Sequence, residues 1–460
     1  MSSLPLNYGY VIVTAGFLIF GGLLSPINSY GRLFTDIQKE LNTTSLQTGW
    51  IGSIAWATNF LVSPVAVLVE SRIGYCATTV LGSVMTSAAY LVSSFMGSYG
   101  WLLLVLGIVC GSSAGLCIHS CFCVLFKYFS FSNYTKASGL LATGAPVALI
   151  TSSATIVVGI SYEKLVPALG WRTTLLATSV FAAVLAIPAS FAISPDRHFR
   201  GNETKTNTDV NEHKETASSK STKTNDIKTE SSREEGNNLH NNSWITMFCS
   251  WRAWLILFAL LFPAMCWSVY WVNTISYFES IPIPENDILI FVTVMTVTDV
   301  LGRVILALFM NKVPFGETSL LCLCNFLFFG LTIIFVVCPS TPVLLICSAC
   351  IGVGRGWYNV LPYLVSVDLL ESDNSDQGVT LAMVALGFGF AVGTLPAGAT
   401  YDAIGSYTYA FILNALLYLL GAVILLFLQM ERRMRNKRKR HRRGLTVVYT
   451  IESAKAAIQG

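Results

Sequence analysis

The chain alternates between long apolar stretches and shorter polar segments. Twelve of these stretches hold about 20 mostly apolar residues each, the length that a helix needs to cross the hydrocarbon core of a bilayer. The pattern therefore predicts an all-α membrane protein with twelve transmembrane helices. The predicted spans are 8–30, 46–69, 76–97, 100–126, 137–160 and 171–193, then 252–278, 287–310, 317–338, 341–366, 379–400 and 407–429.

A long polar segment divides the spans into two sets of six. Residues 196–243 are rich in Asn, Thr, Ser, Glu and Lys and hold few residues that could form an apolar core, so we predict a disordered linker. The predicted domains are an N-terminal six-helix half (1–195), this linker, a C-terminal six-helix half (244–430) and a basic tail (431–460). Two six-helix halves are typical of one class of secondary transporter.

Composition supports a chain in contact with lipid. Hydrophobic residues make up 53% of the 460 positions and charged residues only 12%, whereas soluble domains hold about 25% charged residues. The sequence contains no GxxxxGK[ST] or HExxH pattern, which argues against an ATP-driven step and against an enzyme. Most cysteines lie within apolar runs and are interpreted as packing residues. We expect no cofactor and no metal.

The placement of Lys and Arg predicts the orientation in the membrane. With both termini in the cytoplasm, 23 of the 29 basic residues fall on the inner side and four on the outer side, as the positive-inside rule requires. The basic run 431–443 directly follows the last span, so we interpret it as an anchor on anionic lipid rather than a nucleic-acid site. Asn42 opens a glycosylation sequon in the first outer loop.

Candidate chemistry centres on charges inside the spans. Asp299 and Arg303 lie four residues apart in the eighth span and share one helix face, while Arg355 lies in the tenth. A charge at mid-bilayer costs roughly 2.5–3.5 kcal/mol, so such residues usually serve a function. We predict that Arg303 binds a substrate carboxylate and that Asp299 takes up a proton. A structural ion pair between helices is the alternative, and Arg355 could either contact substrate or pair structurally.

Two further residues in the spans could contribute to a site. Tyr270 belongs to an aromatic stretch of the seventh span that could line a pocket for an apolar substrate tail, although packing and contact with the lipid interface are the favoured explanation. His119 is the only histidine within a predicted span. It is interpreted as a hydrogen-bonding residue between helices rather than a ligand.

Four segments resemble the monocarboxylate transporter family (solute carrier family 16) of the major facilitator superfamily. The pair Asp299 and Arg303, in Asp-Val-Leu-Gly-Arg, resembles the acid–arginine pair of the family's eighth span. Residues 401–407 (YDAIGSY) are similar to the family's YDxTGSY turn between the last two spans. Residues 7–11 (NYGYV) look like a reduced form of its opening motif, and residues 127–146 are similar to its signature between the fourth and fifth spans.

The resemblance implies a major facilitator fold and proton-linked symport of small monocarboxylates by alternating access, with small organic anions and protons as ligands. It also implies a plasma-membrane location and a possible single-span accessory protein. In the first span, Asn28 stands where lactate carriers of the family place a lysine, with Arg32 one turn further along. This departure favours one alternative, a facilitative carrier of aromatic amino acids or another zwitterionic or neutral solute. A second alternative is a non-transporting membrane sensor that signals through the linker and tail.

Overall fold

A computed structural model describes residues 6–28, 30–132, 169–193, 250–279, 281, 283–309, 316–370, 375–404 and 407–459. The fifth predicted span and the linker 196–243 lie outside these ranges. Everything regular within them is helical. The N-terminal half contains α1 (Leu6–Asn28), α2 (Tyr30–Leu41), α3 (Ser45–Leu61), α4 (Ser63–Phe95), α5 (Tyr99–Leu102), a π-helical stretch (Leu103–Cys110), α6 (Gly111–Ser132) and α7 (Leu169–Ser190).

Among its described residues, the C-terminal half contains seven helices. They are α8 (Trp251–Glu279), α9 (Glu285–Phe309), α10 (Glu317–Val337), α11 (Thr341–Tyr358), α12 (Leu361–Leu370), α13 (Ser375–Ile404) and α14 (Thr408–Gln459). Helix α14 passes through the predicted boundary at 430/431, because the basic tail continues the last span as one helix.

Local sequence explains where several helices begin or break. The Thr44 hydroxyl accepts from the Gln47 N–H while the Gln47 side chain accepts from the Thr44 N–H, so a capping box starts α3. Within α4, Gly74 adopts φ +82°, a conformation that only glycine reaches without strain. Gly74 therefore breaks α4 at the place where the second span ends and the third begins.

Of the eleven spans predicted within the described residues, fewer reach the length and apolarity that a membrane-crossing helix needs. Seven helices are long and apolar enough to cross a membrane, and the pair α11 and α12, bent by 45°, makes an eighth. The bend follows Tyr358, and Pro362 near the start of α12 has no N–H to continue the helical hydrogen-bond ladder. The tenth predicted span is therefore a bent helix rather than a straight one.

The two halves meet mainly through α13, which packs against α3, α4 and α6. The Phe390 ring packs against Trp56 and Phe60 on α3, with both ring centroids 5.7 Å away. Phe122 on α6 stacks on Tyr363 of α12 at 4.5 Å.

Part of this contact lies toward the end of the bundle where Arg432 of α14 pairs with Asp368 of α12. We call this end, which also carries the start of α13 at Ser375, the tail end.

Candidate functional site

The buried charges of α9 form the centre of the site. Arg303 donates from Nε to Oδ1 of Asp299 at 2.9 Å and from Nη2 to Oδ2 at 3.4 Å. The geometry follows directly from the sequence, since residues four apart lie on one face of a helix. Asp299 is only 1% exposed and Arg303 4%, so the pair is almost completely shielded from solvent.

A second guanidinium approaches the same carboxylate from α11. Arg355 Nε lies 3.5 Å from Asp299 Oδ2, and Arg355 Nη1 donates to the Met295 sulfur at 3.4 Å. The Arg355 guanidinium also lies 5.7 Å from the ring centroid of Trp267 on α8, within the range of a cation–π contact. Asp299 is therefore paired with arginines from α9 and α11, and the structure brings together all three charged residues that the sequence singled out.

Glycines allow α9 and α11 to pack closely enough for this arrangement. A Cβ added to Gly302 of α9 would lie 2.4 Å from the Val353 carbonyl oxygen. On α11, a Cβ at Gly352 would lie 1.9 Å from the Thr298 hydroxyl, and one at Gly356 would lie 2.5 Å from the Asp299 carbonyl oxygen. Small residues at such spacing are a common way to bring membrane helices together.

The cluster formed by Asp299, Arg303 and Arg355 carries one negative and two positive charges. No other acidic residue lies in the interior of a predicted span, because Asp287 and Glu317 stand at span ends. Taken together, these three side chains carry a net charge of +1 in a largely buried place. An anion with one carboxylate would balance it, and a guanidinium can bind both carboxylate oxygens at once.

The two remaining predicted site residues, Tyr270 and Asn28, are not part of this cluster in the described structure. The Tyr270 hydroxyl shares a 2.8 Å hydrogen bond with Thr332, and its ring packs against Phe335 and Phe411, so Tyr270 belongs to the packing among α8, α10 and α14. Asn28 is the last residue of α1, and its side chain lies outside the described residues. Sequence reasoning did not select Met295, because only the approach of α11 gives this residue a polar partner.

A second buried polar group, which the sequence did not reveal, joins the two halves. His119 on α6 bonds through Nδ1 to Glu70 Oε1 at 2.9 Å and through Nε2 to the Thr380 hydroxyl at 3.0 Å. Glu70 belongs to α4 and Thr380 to α13. The structure thus confirms His119 as a hydrogen-bonding residue between helices. Glu70 escaped notice because it lies just beyond the predicted end of the second span.

The side chains of Glu70, His119 and Cys123 offer ligand atoms within 4.8 Å of one another. The Cys123 sulfur lies 3.7 Å from each of the two ring nitrogens of His119. If the sulfur and one ring nitrogen bound the same metal ion, the sulfur would lie much closer to that nitrogen than to the other. Both nitrogens are also engaged by protein oxygens. The arrangement therefore fits a hydrogen-bond network better than a metal site.

Comparison with known proteins identifies the family of the chain. The family model described as Major Facilitator Superfamily matches residues 6–314 and 257–457. Human monocarboxylate transporter 14 is 20% identical over 96% of this chain and 94% of its own length. Human monocarboxylate transporter 12 is 23% identical over 93% of this chain and 82% of its own length.

Solved structures agree on the fold. The crystal structure of the E. coli fucose:proton symporter matches with a TM-score of 0.62 at 13% identity, covering 93% of this chain and 99% of that one. The structure of a proton:xylose symporter bound to a bromodeoxyglucose matches with a TM-score of 0.63, also at 13% identity, covering 91% and 95% of the two chains. At this identity, the likeness establishes the arrangement of helices alone.

Proposed function

Because this chain belongs to the Major Facilitator Superfamily and is a transporter rather than an enzyme, we propose that it moves small monocarboxylates across the membrane together with protons. The observation that carries the proposal is the buried carboxylate of Asp299 between Arg303 and Arg355. Two human relatives, monocarboxylate transporters 14 and 12, are named for the same class of substrate.

The substrate carboxylate competes with Asp299 for the Arg303 guanidinium. In the empty site, Asp299 holds Arg303 in place through the 2.9 Å bond. When the substrate takes over the guanidinium, Asp299 loses much of the positive charge that stabilises its ionised form, and it then accepts a proton. Arg355, with its aromatic neighbour Trp267, keeps the second positive charge beside the substrate.

Charge balance explains why the anion and the proton would travel together. The empty cluster of two arginines and one ionised carboxylate carries a charge of +1. Binding one monoanion and one proton leaves that charge unchanged. Because moving a net charge through the hydrocarbon core is costly, a cluster of constant charge can reorient in both the empty and the loaded state. The expected process is therefore electroneutral symport.

Alternating access supplies the movement. In a carrier of two six-helix halves, the halves rock about a site near the bilayer midplane. The structure shows the halves in contact toward the tail end, through Phe122 and Tyr363 and through α13. We propose that these contacts separate when the site opens toward that end.

The topology and location are inferred from charge and resemblance. The excess of Lys and Arg on one side supports cytoplasmic termini, which would make the tail end the cytoplasmic end. A plasma-membrane location and a single-span accessory protein are proposed from the resemblance to monocarboxylate transporters alone.

An uptake panel in proteoliposomes tests this function. The radiolabelled probes are lactate, pyruvate, β-hydroxybutyrate and the aromatic amino acids, each with and without an acid-outside pH gradient. We expect at least one monocarboxylate to accumulate faster with the gradient. Arg303→Gln and Arg355→Gln should reduce that uptake by about tenfold or more, the loss expected when a charge-assisted hydrogen bond of roughly 1.5–3 kcal/mol is removed.

Arg252→Gln is the matched control, because it also removes an arginine ion pair, with Glu431, but at the tail end of the bundle. It should transport like the unaltered protein. Uptake of aromatic amino acids in place of monocarboxylates would favour the facilitative carrier. A chain that moves none of the probes, and whose signalling survives Arg303→Gln but not deletion of residues 200–240, would favour the sensor.

A further inference from the structure

The contact between the halves at the tail end contains ionisable groups that the proposed anion site does not use. His119 and Glu70 come from the N-terminal half, and Thr380 and Asp376 from the C-terminal half. All four are buried, at 0%, 7%, 3% and 6% exposure respectively. Buried ionisable groups within a membrane protein are costly and usually functional. We call these four residues the interface cluster.

We propose that His119 and Glu70 form a proton-binding site that Thr380 closes when the halves meet at the tail end and uncovers when they separate. This proposal deepens the proposed function, since it rests on alternating access and adds a second place for a proton besides Asp299. The chemical ligand is H⁺ itself, which binds the imidazole to give an imidazolium beside the Glu70 carboxylate.

The hydrogen bonds around Thr380 carry the argument. Its hydroxyl has a single proton, which it donates to the Asp376 carbonyl oxygen at 2.7 Å. The same oxygen lies 3.0 Å from His119 Nε2, so in this arrangement it must accept from an Nε2–H. The opposite nitrogen, Nδ1, faces a Glu70 carboxylate oxygen, which is an acceptor. An imidazolium, in which both ring nitrogens donate, therefore fits these contacts.

Loss of one proton leaves the network intact but rearranged. The Thr380 hydroxyl can turn its proton from the Asp376 carbonyl to a bare Nε2, while Nδ1–H continues to donate to Glu70. The ring is then neutral, and the buried Glu70 carboxylate keeps hydrogen bonds from His119 and from Ser120, at 2.6 Å, but has lost its cation. Thr380, on the other half, therefore responds directly to the protonation of His119.

The surrounding groups decide which state favours contact between the halves. The ionisable described groups in contact with the imidazole are Glu70 on α4 and Cys123 on α6, and Tyr75 on α4 lies near both of these groups and near Asp376 on α13. Tyr75 donates to Asp376 Oδ2 at 2.8 Å, a second bond between the halves. The Glu70 carboxylate thus lies against the imidazole, and an imidazolium offsets its charge. Without it, Glu70 is a buried charge with no cation, which is strongly unfavourable unless water enters.

Protonation should therefore hold the tail end closed, and release of the proton should accompany its opening. The proton can leave on the tail-end side, because separation removes Thr380 from Nε2 and admits water to the ring. In the orientation proposed above, this side is the cytoplasm.

Hydrogen exchange measured by mass spectrometry tests the proposal without any substrate, using the full-length protein in lipid nanodiscs. Comparing variants at one pH removes the intrinsic pH dependence of exchange. Near pH 6, peptides covering 70–80 and 375–385 should exchange about threefold faster in His119→Gln than in the unaltered protein, because Glu70 then lacks its cation. Near pH 8 the difference should disappear.

The double variant Glu70→Gln/His119→Gln separates charge from packing. It removes the uncompensated carboxylate, so these peptides should again exchange slowly, and at both pH values. Ser190→Ala is the control, since it removes a buried 2.7 Å hydrogen bond to Ser83 within the N-terminal half alone. It should retain the difference between the two pH values that the unaltered protein shows.

Three results would overturn the proposal. The first is hydrogen exchange in His119→Gln that depends on pH as it does in the unaltered protein. The second is fast exchange of these peptides in the double variant. The third is exchange in Ser190→Ala that no longer depends on pH. Failure of the uptake panel would contradict the proposed substrate but not this site, because the exchange measurement involves no transport.

Discussion

At the scale of single residues, the geometry of the guanidinium distinguishes Arg303 from a simple positive charge. Its Nε and Nη2 face the two oxygens of Asp299, at 2.9 and 3.4 Å. A substrate carboxylate that replaces Asp299 would accept hydrogen bonds from the same two nitrogens. Lysine could supply the charge but not the two parallel donors, so the two residues are not equivalent at such a position.

Arg303→Lys should therefore bind monocarboxylates more weakly while retaining transport. We expect KM to rise by roughly tenfold, which corresponds to about 1.4 kcal/mol, because one of two charge-assisted bonds is lost. The measurement is the concentration dependence of uptake in proteoliposomes. Arg432→Lys, which alters a guanidinium that also contacts both oxygens of an aspartate, should leave KM unchanged. An unchanged KM in Arg303→Lys would contradict carboxylate binding by the Arg303 guanidinium.

Whether a contact of this site could be predicted depends on how far apart its residues lie in the sequence. Asp299 and Arg303 were predictable because a helix fixes the relation between residues four apart. The approach of Arg355 to Asp299 was not, since it requires that α9 and α11 be neighbours. The same holds for the interface cluster, where Glu70 meets His119 across 49 positions and Thr380 meets His119 across 261. Contacts between distant segments leave little trace in a single sequence.

At the scale of helices, the close packing of α9 and α11 determines the site. Gly352 and Gly356, one turn apart on α11, face the backbone of α9 and allow the two helices to approach. Without this approach, Arg355 could not reach Asp299. The sequence predicted most spans to within a few residues, for example 252–278 against α8, because apolar length is a local property. The bend between α11 and α12 lies beside Pro362, which has no N–H to continue the helical hydrogen-bond ladder.

Gly352→Ala should separate these helices. The new Cβ would lie 1.9 Å from the Thr298 hydroxyl and 2.4 Å from the Met295 carbonyl oxygen, and such overpacking typically costs about 1–3 kcal/mol. The midpoint of unfolding in detergent should fall, and uptake with it. Gly330→Ala is a suitable control, because its Cβ would meet nothing within 4 Å, so stability should stay equal or rise by up to about 1 kcal/mol. Equal stability of both variants would contradict close packing at Gly352.

At the scale of the whole molecule, two sets of buried charges occupy different places. The cluster of Asp299, Arg303 and Arg355 lies within the C-terminal half, where α8, α9 and α11 meet. The interface cluster spans both halves toward the tail end, where their contact must break for the carrier to open. One set would bind the anion, and the other would respond to opening. Coupling between them would explain how a proton gradient drives an anion through a carrier that has no nucleotide-binding motif.

The most direct test of this account counts protons against anions in a single experiment. Proteoliposomes containing a trapped pH-sensitive dye, with the membrane potential clamped by potassium and valinomycin, receive labelled lactate or pyruvate at equal pH on both sides. The account predicts internal acidification that matches uptake at about one proton per anion, and uptake without acidification in Asp299→Asn. Anion uptake by the unaltered protein without acidification, or full acidification in Asp299→Asn, would contradict it.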